Sequence, residues 1–151
     1  MQRLASKFNV DTAHGERVGT VATHLLHQVL GGSLDEQHPE HGRTYRKLHW
    51  AARLHEIGSH ISHSDYHKHG AYILDNADAP GFALPELHRL SLLVLGHRGK
   101  LRKLEADFED SAFVHQLLAL RLAVILCHAR RDPDLKGLQI ESNDDARVVT
   151  L

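Results

Sequence analysis

Residues 48–74 read LHWAARLHEIGSHISHSDYHKHGAYIL and hold six of the chain's 15 histidines. Apolar residues recur at helical spacing in the first part of this stretch, as far as Leu54, and Gly58 then interrupts the pattern as glycine does at helix ends. The segment Ser59–Ser64 has no period and is predicted to be a loop before the next helix. Because the histidines and the pair His55-Glu56 gather at one helix junction, we expect any chemistry of the chain to start here.

Working outward from this stretch, the pattern predicts a mostly α-helical chain. Apolar stripes at helical spacing, bounded by capping residues and by Gly or Pro, predict helices at about 12–30, 43–57, 65–76, 85–98 and 112–128. Asp11 and Ser111 are the expected caps of the first and last helix, and residues 33–42 are expected to form a polar loop. Beyond Gly137 apolar and polar residues alternate around an Asn/Asp turn, which predicts a β-hairpin. We therefore divide the chain into a helical domain, 1–136, and a hairpin, 137–151, that begins a truncated segment.

The composition limits what the chain can bind. Lys and Arg number 18 against 19 Asp and Glu, so the formal net charge is -1 and an anion site must be a local patch. The single cysteine, Cys127, lies in an apolar run, which predicts a buried thiol in a reducing compartment. No segment approaches the roughly 20 apolar residues of a spanning helix, and the start lacks a signal-peptide layout. We expect a cytoplasmic protein with no membrane and no nucleic-acid partner.

Three histidines are predicted to point inward from the apolar faces of separate helices: His14, His55 and His97. Imidazole and carboxylate groups from separate helices can hold a divalent metal that activates water for phosphoester hydrolysis. The candidate metal set is therefore His14, His55, Glu56 and His97. The alternative is that these histidines are hydrogen-bonded within a partly polar core.

This pattern resembles the HD-domain phosphohydrolases, which have a histidine, then a His-Asp pair, then an aspartate on a late helix. His14 matches the first position and His55 the second. Two positions depart from the family: Glu56 is one methylene longer than aspartate, and Val124, which cannot ligate a metal, stands where the late aspartate would fall. We therefore expect an HD-domain-like helical bundle that holds no metal. The alternative function is a metal-dependent HD-type phosphohydrolase that acts on nucleotides.

A closer resemblance covers nearly the whole chain, from Phe8 to the terminal hairpin. Its motifs are FNVDTAHGERV near the start and, between His49 and Leu101, LHEIG, ISHSDYHKHGAYIL, DAPGF and HRGKL. Together these segments resemble the C-terminal, HD-related region of the exopolyphosphatase/guanosine pentaphosphate phosphohydrolase family. In that family two actin-like domains precede this region and carry the phosphate-binding loops and the catalytic carboxylate.

The resemblance implies a fragment with no catalytic residue and no cofactor of its own, while Mg²⁺ would serve the parent protein. The parent would remove terminal phosphate from polyphosphate or guanosine pentaphosphate. The expected partners of this region are polyphosphate, a second copy in a homodimer, and the actin-like catalytic domains of the parent chain. A scaffold that binds no ligand is a further alternative.

Local groups of cations fit a role in polyanion binding. Arg98 and Lys100 flank Gly99, whose neighbouring backbone N–H groups can also face an anion. Cations placed along a groove can follow a phosphate chain through charge-assisted hydrogen bonds, with an affinity that falls as salt rises. The alternative is that they are solvated helix faces. The predicted polyanion-binding residues are Arg98, Lys100, Arg46, Lys47, Lys68 and His69.

Overall fold

The computed structural model describes residues 6, 8, 10–30, 39–77, 79, 81–99, 101, 104, 109–135, 141–142 and 149–150. The elements within these residues are α1 (Thr12–Val29), α2 (Pro39–Leu54), a 3₁₀ turn (Ile57–His60), α3 (Tyr66–Asp75), α4 (Leu84–Gly96), α5 (Ser111–Leu126), β1 (Glu141–Ser142) and β2 (Val149–Thr150). The predicted mostly α fold class is confirmed. None of the helices described is long and apolar enough to cross a membrane.

Side-chain caps fix the starts of the first and last helix. Asp11 caps α1 as predicted, because its Oδ1 accepts a hydrogen bond from the backbone N–H of His14 at 3.1 Å. The cap of α5 is Asp110 and not Ser111, which is a correction of one residue. The Oδ1 of Asp110 accepts from the backbone N–H groups two and three residues further on, at 3.1 and 3.3 Å. A carboxylate is the stronger acceptor at this position, since it also faces the positive end of the helix dipole.

The boundaries of α2 differ from the prediction. The helix begins at Pro39, inside the segment predicted to be a polar loop, because proline is favourable at the first helical position. It ends at Leu54, and Gly58 lies in the 3₁₀ turn without a positive φ. A Cβ at Gly58 would lie 2.0 Å from the carbonyl oxygen of Tyr66. Gly58 therefore serves close packing of the turn against the start of α3, and not helix termination.

The core lies where α1, α2, α4 and α5 meet. Each helix contributes apolar side chains that are fully removed from water, and burial of one such leucine stabilises the fold by roughly 1.5–3 kcal/mol. Short α3 packs on α4 and on the 3₁₀ turn. The largest fully buried apolar side chains are Leu25, Leu26, Leu48, Leu54, Ile57, Leu74, Leu90, Leu93, Leu104, Phe113 and Leu120.

The last elements are two short strands. They pair antiparallel, with Glu141 opposite Thr150 and Ser142 opposite Val149. This pairing agrees with the hairpin predicted from the alternating pattern. The turn predicted between the strands lies outside the described residues, and the division of the chain at residue 137 stays a prediction.

Candidate functional site

Four histidines form a line of imidazole rings through the bundle, which we call the histidine row. His14 comes from the first turn of α1, His55 follows α2, His97 follows α4, and His67 belongs to the first turn of α3. Ring centroids are 5.7 Å apart from His14 to His55, 5.1 Å from His55 to His97 and 6.4 Å from His97 to His67. All four are buried, with 2–8% of each residue exposed. The three inward histidines predicted from helical spacing thus lie side by side, and His67 extends them.

Backbone carbonyl groups fix the protonation of the two central rings. The Nδ1–H of His55 donates to the carbonyl oxygen of Ala52 at 2.5 Å, and the Nδ1–H of His97 donates to that of Val94. A carbonyl oxygen can only accept, so the proton of each neutral ring lies on Nδ1. The Nε2 of His97 then accepts from the Tyr66 hydroxyl at 3.4 Å. Both nitrogens of His97 are therefore occupied, whereas no bond to the Nε2 of His55 is seen from any residue that the structure describes.

Burial keeps the row neutral. It lowers the pKa of His97 well below the ordinary 6.5, and the neighbouring His55 lowers it further. Burial also lowers the pKa of His55, partly offset by its bond to Ala52, and lowers the pKa of His14, partly offset by the Glu56 carboxylate. The desolvation cost of an imidazolium thus outweighs the attraction of the nearby acid.

A guanidinium closes one end of the row, which we call the Arg130 end. Arg130 Nη2 donates to Glu56 Oε2 at 2.7 Å, and Nη1 donates to Asp11 Oδ2 at 2.9 Å. The hydrogen bond to Glu56 is the main cause of a raised Arg130 pKa. The backbone N–H of His14 is the main cause of a lowered Asp11 pKa. One arginine after α5 therefore ties the start of α1 to the residue that follows His55.

The same end holds three possible metal ligands. One ligand atom from each of His14, His55 and Glu56 lies within 4.8 Å of the other two. His97, the fourth member of the predicted metal set, is not in this group, and its two nitrogens are bonded to Val94 and Tyr66. Val124 is half-buried on α5 and offers no ligand atom.

The other end of the row carries an exposed arginine, and we call it the Arg98 end. The Arg98 guanidinium carbon lies 4.6 Å from the centroid of the Tyr66 ring. Gly99 has a φ of 79°, and a Cβ there would lie 3.0 Å from His67 Nε2. Arg121 Nη1 donates to the carbonyl oxygens of Gly96 at 2.8 Å and Gly99 at 3.2 Å. The loop that bears Arg98 is thus held from α5 and packed against α3.

The other predicted polyanion-binding residues fall into separate places. Lys68 is exposed on α3, and its Nζ lies 3.9 Å from Asp65 Oδ2. His69 is half-buried beside Gly58. Lys100 lies outside the described residues.

Arg46 and Lys47 lie on α2, away from the Arg98 end. With Arg43, Trp50, Phe82, Glu86 and Leu90 they line a cavity of about 90 Å³. This cavity borders the start of α4, while Arg98 follows the end of that helix. The ten residue steps from Glu86 to Gly96 correspond to about 15 Å of helix axis. The described members of the predicted set therefore lie in separate places, with Arg46 and Lys47 near one end of α4 and Arg98 beyond the other.

Three side chains of the row and its two ends were not among the predicted site residues: His67, Arg121 and Arg130. His67 precedes the apolar part of α3, so no stripe marks it as an inward residue. Arg121 stands in an apolar run, where an arginine is itself a signal of a buried polar partner. Arg130 lies 119 residues from Asp11 and 74 from Glu56, and no local pattern carries such a pairing.

The fold and the site define a helical domain with a buried histidine row between two arginines. A model of the Ppx/GppA phosphatase family, domain III, matches residues 1–151. The chain therefore belongs to the Ppx/GppA phosphatase family and corresponds to its domain III. This confirms the family resemblance drawn from the sequence motifs.

Similar relatives are guanosine-5'-triphosphate,3'-diphosphate pyrophosphatases. The protein of Vibrio cholerae serotype O1 is 34% identical over 98% of this chain and 29% of its own length. That of Pseudoalteromonas translucida is 35% identical over 92% of this chain and 28% of its own length. That of Aeromonas hydrophila is 31% identical over 98% of this chain and 30% of its own length. The chain thus spans less than a third of these relatives.

Proposed function

We propose that this chain serves as the C-terminal domain of a phosphohydrolase that acts on polyphosphate or guanosine pentaphosphate, and that it binds the anionic phosphate chain without catalysing its cleavage. Membership of domain III of the Ppx/GppA family supports the first part. The names of the pyrophosphatase relatives, of which the chain spans 28–30%, support the substrate class. Catalysis and its Mg²⁺ would belong to the actin-like domains of the parent.

The observation that carries the binding role is the placement of Arg98. Its guanidinium rests on the Tyr66 ring, and among the described residues no carboxylate lies within ion-pair distance of it. Stacking holds a long side chain in one place, so less conformational entropy is lost when an anion binds. Arg121 holds the backbone on either side of Arg98 through Gly96 and Gly99. The result is an exposed, positioned cation, which is what recognition of a phosphate oxygen requires.

The basic cluster on α2 extends the proposed path. Arg43, Arg46 and Lys47 lie near the opposite end of α4, about 15 Å away along its axis. A compact anion cannot contact this cluster and Arg98 at once, but a long linear polyphosphate can. We therefore propose that affinity rises with the length of the polyphosphate chain. A long chain bound to the α2 cluster is present at a higher local concentration at Arg98.

The test is a titration of the full chain with fluorescently labelled polyphosphate at low and high salt. The variant Arg98→Ala plus Lys100→Ala should bind about tenfold more weakly, as expected for the loss of a charge-assisted hydrogen bond. Arg131→Ala removes the same kind of charge from an exposed position beyond α5 and is the matched control, with an expected change under about twofold. Binding that ignores salt, or an equal loss in both variants, would contradict the proposal.

We also propose that the domain forms homodimers and docks on its catalytic partner domains. Large apolar side chains left exposed on the described surface support this part, namely Ile61, Tyr72, Leu84 and Ile125. Sedimentation equilibrium of the full chain measures the dimer, and a monomer at all concentrations would contradict it.

A further inference from the structure

Arg130 adopts a strained conformation to reach the end of the histidine row. Its φ is 58°, in the left-handed region that a non-glycine residue enters at a cost of about 1 kcal/mol. In this conformation its guanidinium contacts Asp11 and Glu56 at the same time, at 2.9 and 2.7 Å. Strain is kept where surrounding contacts outweigh it, so the position of this guanidinium is determined by its two carboxylates.

The side chains behind Arg130 have the chemistry of a transition-metal site. Two imidazoles and one carboxylate, from His14, His55 and Glu56, converge within 4.8 Å. The Nδ1–H of His55 is bonded to the carbonyl oxygen of Ala52, which leaves Nε2 as the donor atom, as in metal-bound histidines. The HD-type resemblance implies a metal here, and these residues fit one with three ligands. The obstacle is Glu56, since Arg130 already holds its carboxylate.

We infer that Arg130 is the resident cation of this end of the row, and that His14, His55 and Glu56 form a latent site for a divalent transition metal that opens when Arg130 is removed. The site is distinct from the proposed polyanion path at the Arg98 end, so neither proposal depends on the other.

Charge and geometry both favour the guanidinium over a metal. The Glu56 side chain is only 19% exposed, so its carboxylate has little contact with water and needs one nearby cation. A divalent ion bound to Glu56 would lie beside the guanidinium and be repelled by it. Ligands of a tetrahedral metal lie about 3.4 Å from one another when the bonds are roughly 2.1 Å. The three ligand atoms lie within 4.8 Å of one another, so the carboxylate must be free to adjust to that spacing, which Arg130 opposes while it is bonded to both Glu56 and Asp11.

The experiment is a Co²⁺ titration of the full chain, read by visible absorption and checked by isothermal calorimetry. The variant Arg130→Met should bind one Co²⁺ roughly 10- to 100-fold more tightly than the wild type, the factor that corresponds to breaking one charge-assisted hydrogen bond. Adding His55→Ala to Arg130→Met should abolish the absorption band. Arg131→Met, an exposed neighbour, is the matched control and should behave as the wild type.

A second measurement stands even if Arg130→Met fails to fold. The melting temperature of the wild type should be the same with excess Zn²⁺ and with a chelator, because metal that binds only the folded state would raise it. A rise with Zn²⁺ would overturn the assignment of Arg130 as the resident cation. Folded Arg130→Met that binds no Co²⁺, or wild type that binds it equally well, would overturn it too.

Discussion

The two ends of the histidine row each carry an arginine, and the surroundings of those arginines differ. Arg130 has two carboxylate partners, whereas Arg98 lies on an aromatic ring with no carboxylate partner among the described residues. A guanidinium with two anionic partners is neutralised and joins elements of the fold. One that rests on a ring keeps its charge available to a ligand. The same residue type therefore serves architecture at one end and, in our proposal, recognition at the other.

The largest expected effect comes from the turn that joins the two ends. Gly58 lies two residues after Glu56 and packs against the carbonyl oxygen of Tyr66, where a Cβ would approach to 2.0 Å. Gly58→Ala must push α3 away from the turn, so we expect the free energy of unfolding to fall by about 3 kcal/mol. Urea denaturation followed by circular dichroism measures the loss.

Gly42→Ala is the matched control for that substitution. Gly42 lies inside α2, and a Cβ added there would meet nothing within 4 Å. Alanine at this position should raise the free energy of unfolding by about 0.5–1 kcal/mol, because it restricts the unfolded chain. A Gly58→Ala protein as stable as the wild type would mean that the turn does not fix the spacing of the two ends.

The second prediction concerns the neutral rings between the ends. His97 is faced by His55, His67, Tyr66 and the Arg98 guanidinium, and burial with the nearby cationic groups lowers its pKa well below 6.5. Below about pH 6.5 the His97 imidazole is therefore protonated in the unfolded chain while it stays neutral in the folded chain. Above that pH the contribution of the neutral rings to the free energy of unfolding should be fully present. On acidification the free energy of unfolding should decrease by up to about 1.4 kcal/mol per pH unit for each such histidine.

Denaturation curves between pH 8 and pH 5, recorded with a chelator present, test this expectation. His97→Gln should make stability less dependent on pH by the contribution of one buried histidine. A stability that is constant down to pH 5 would contradict the neutral row.

How much of this the sequence could predict depends on the distance over which each signal acts. Helical spacing placed His14, His55 and His97 on inner faces, and the structure brings their rings together. Apolar periodicity is a local property, so it survives without knowledge of the fold. The cap of α5 was missed by one residue because Asp110 and Ser111 can both accept from the first N–H groups of the helix. The start of α2 was missed because proline is favourable at the first helical position.

What could not be predicted depends on contacts between distant parts of the chain. Arg46 and Lys47 lie apart from Arg98 because helix length, and not sequence proximity, decides which cations share a surface. The hydrogen bonds from Arg130 to Asp11 and Glu56 span 119 and 74 residues, and no local sequence pattern at Arg130 predicts them. Arg130 reaches its two carboxylates from a left-handed backbone conformation after α5. A sequence pattern that indicates only where a helix ends does not specify that conformation.

The smallest expected effect is the sharpest test of the comparison, because it separates stability from binding at the two ends. Arg130→Met removes two ion pairs, but the arginine, like Asp11, is half-exposed, so solvent screening limits the loss to about 1 kcal/mol of unfolding free energy. Arg98→Met should change stability by less than about 0.5 kcal/mol, since methionine still covers the Tyr66 ring. The order should reverse for labelled polyphosphate, with affinity weakened by Arg98→Met and unaffected by Arg130→Met. If both variants lose stability and affinity to the same extent, the two arginines are equivalent, and the division between an architectural end and a recognition end is wrong.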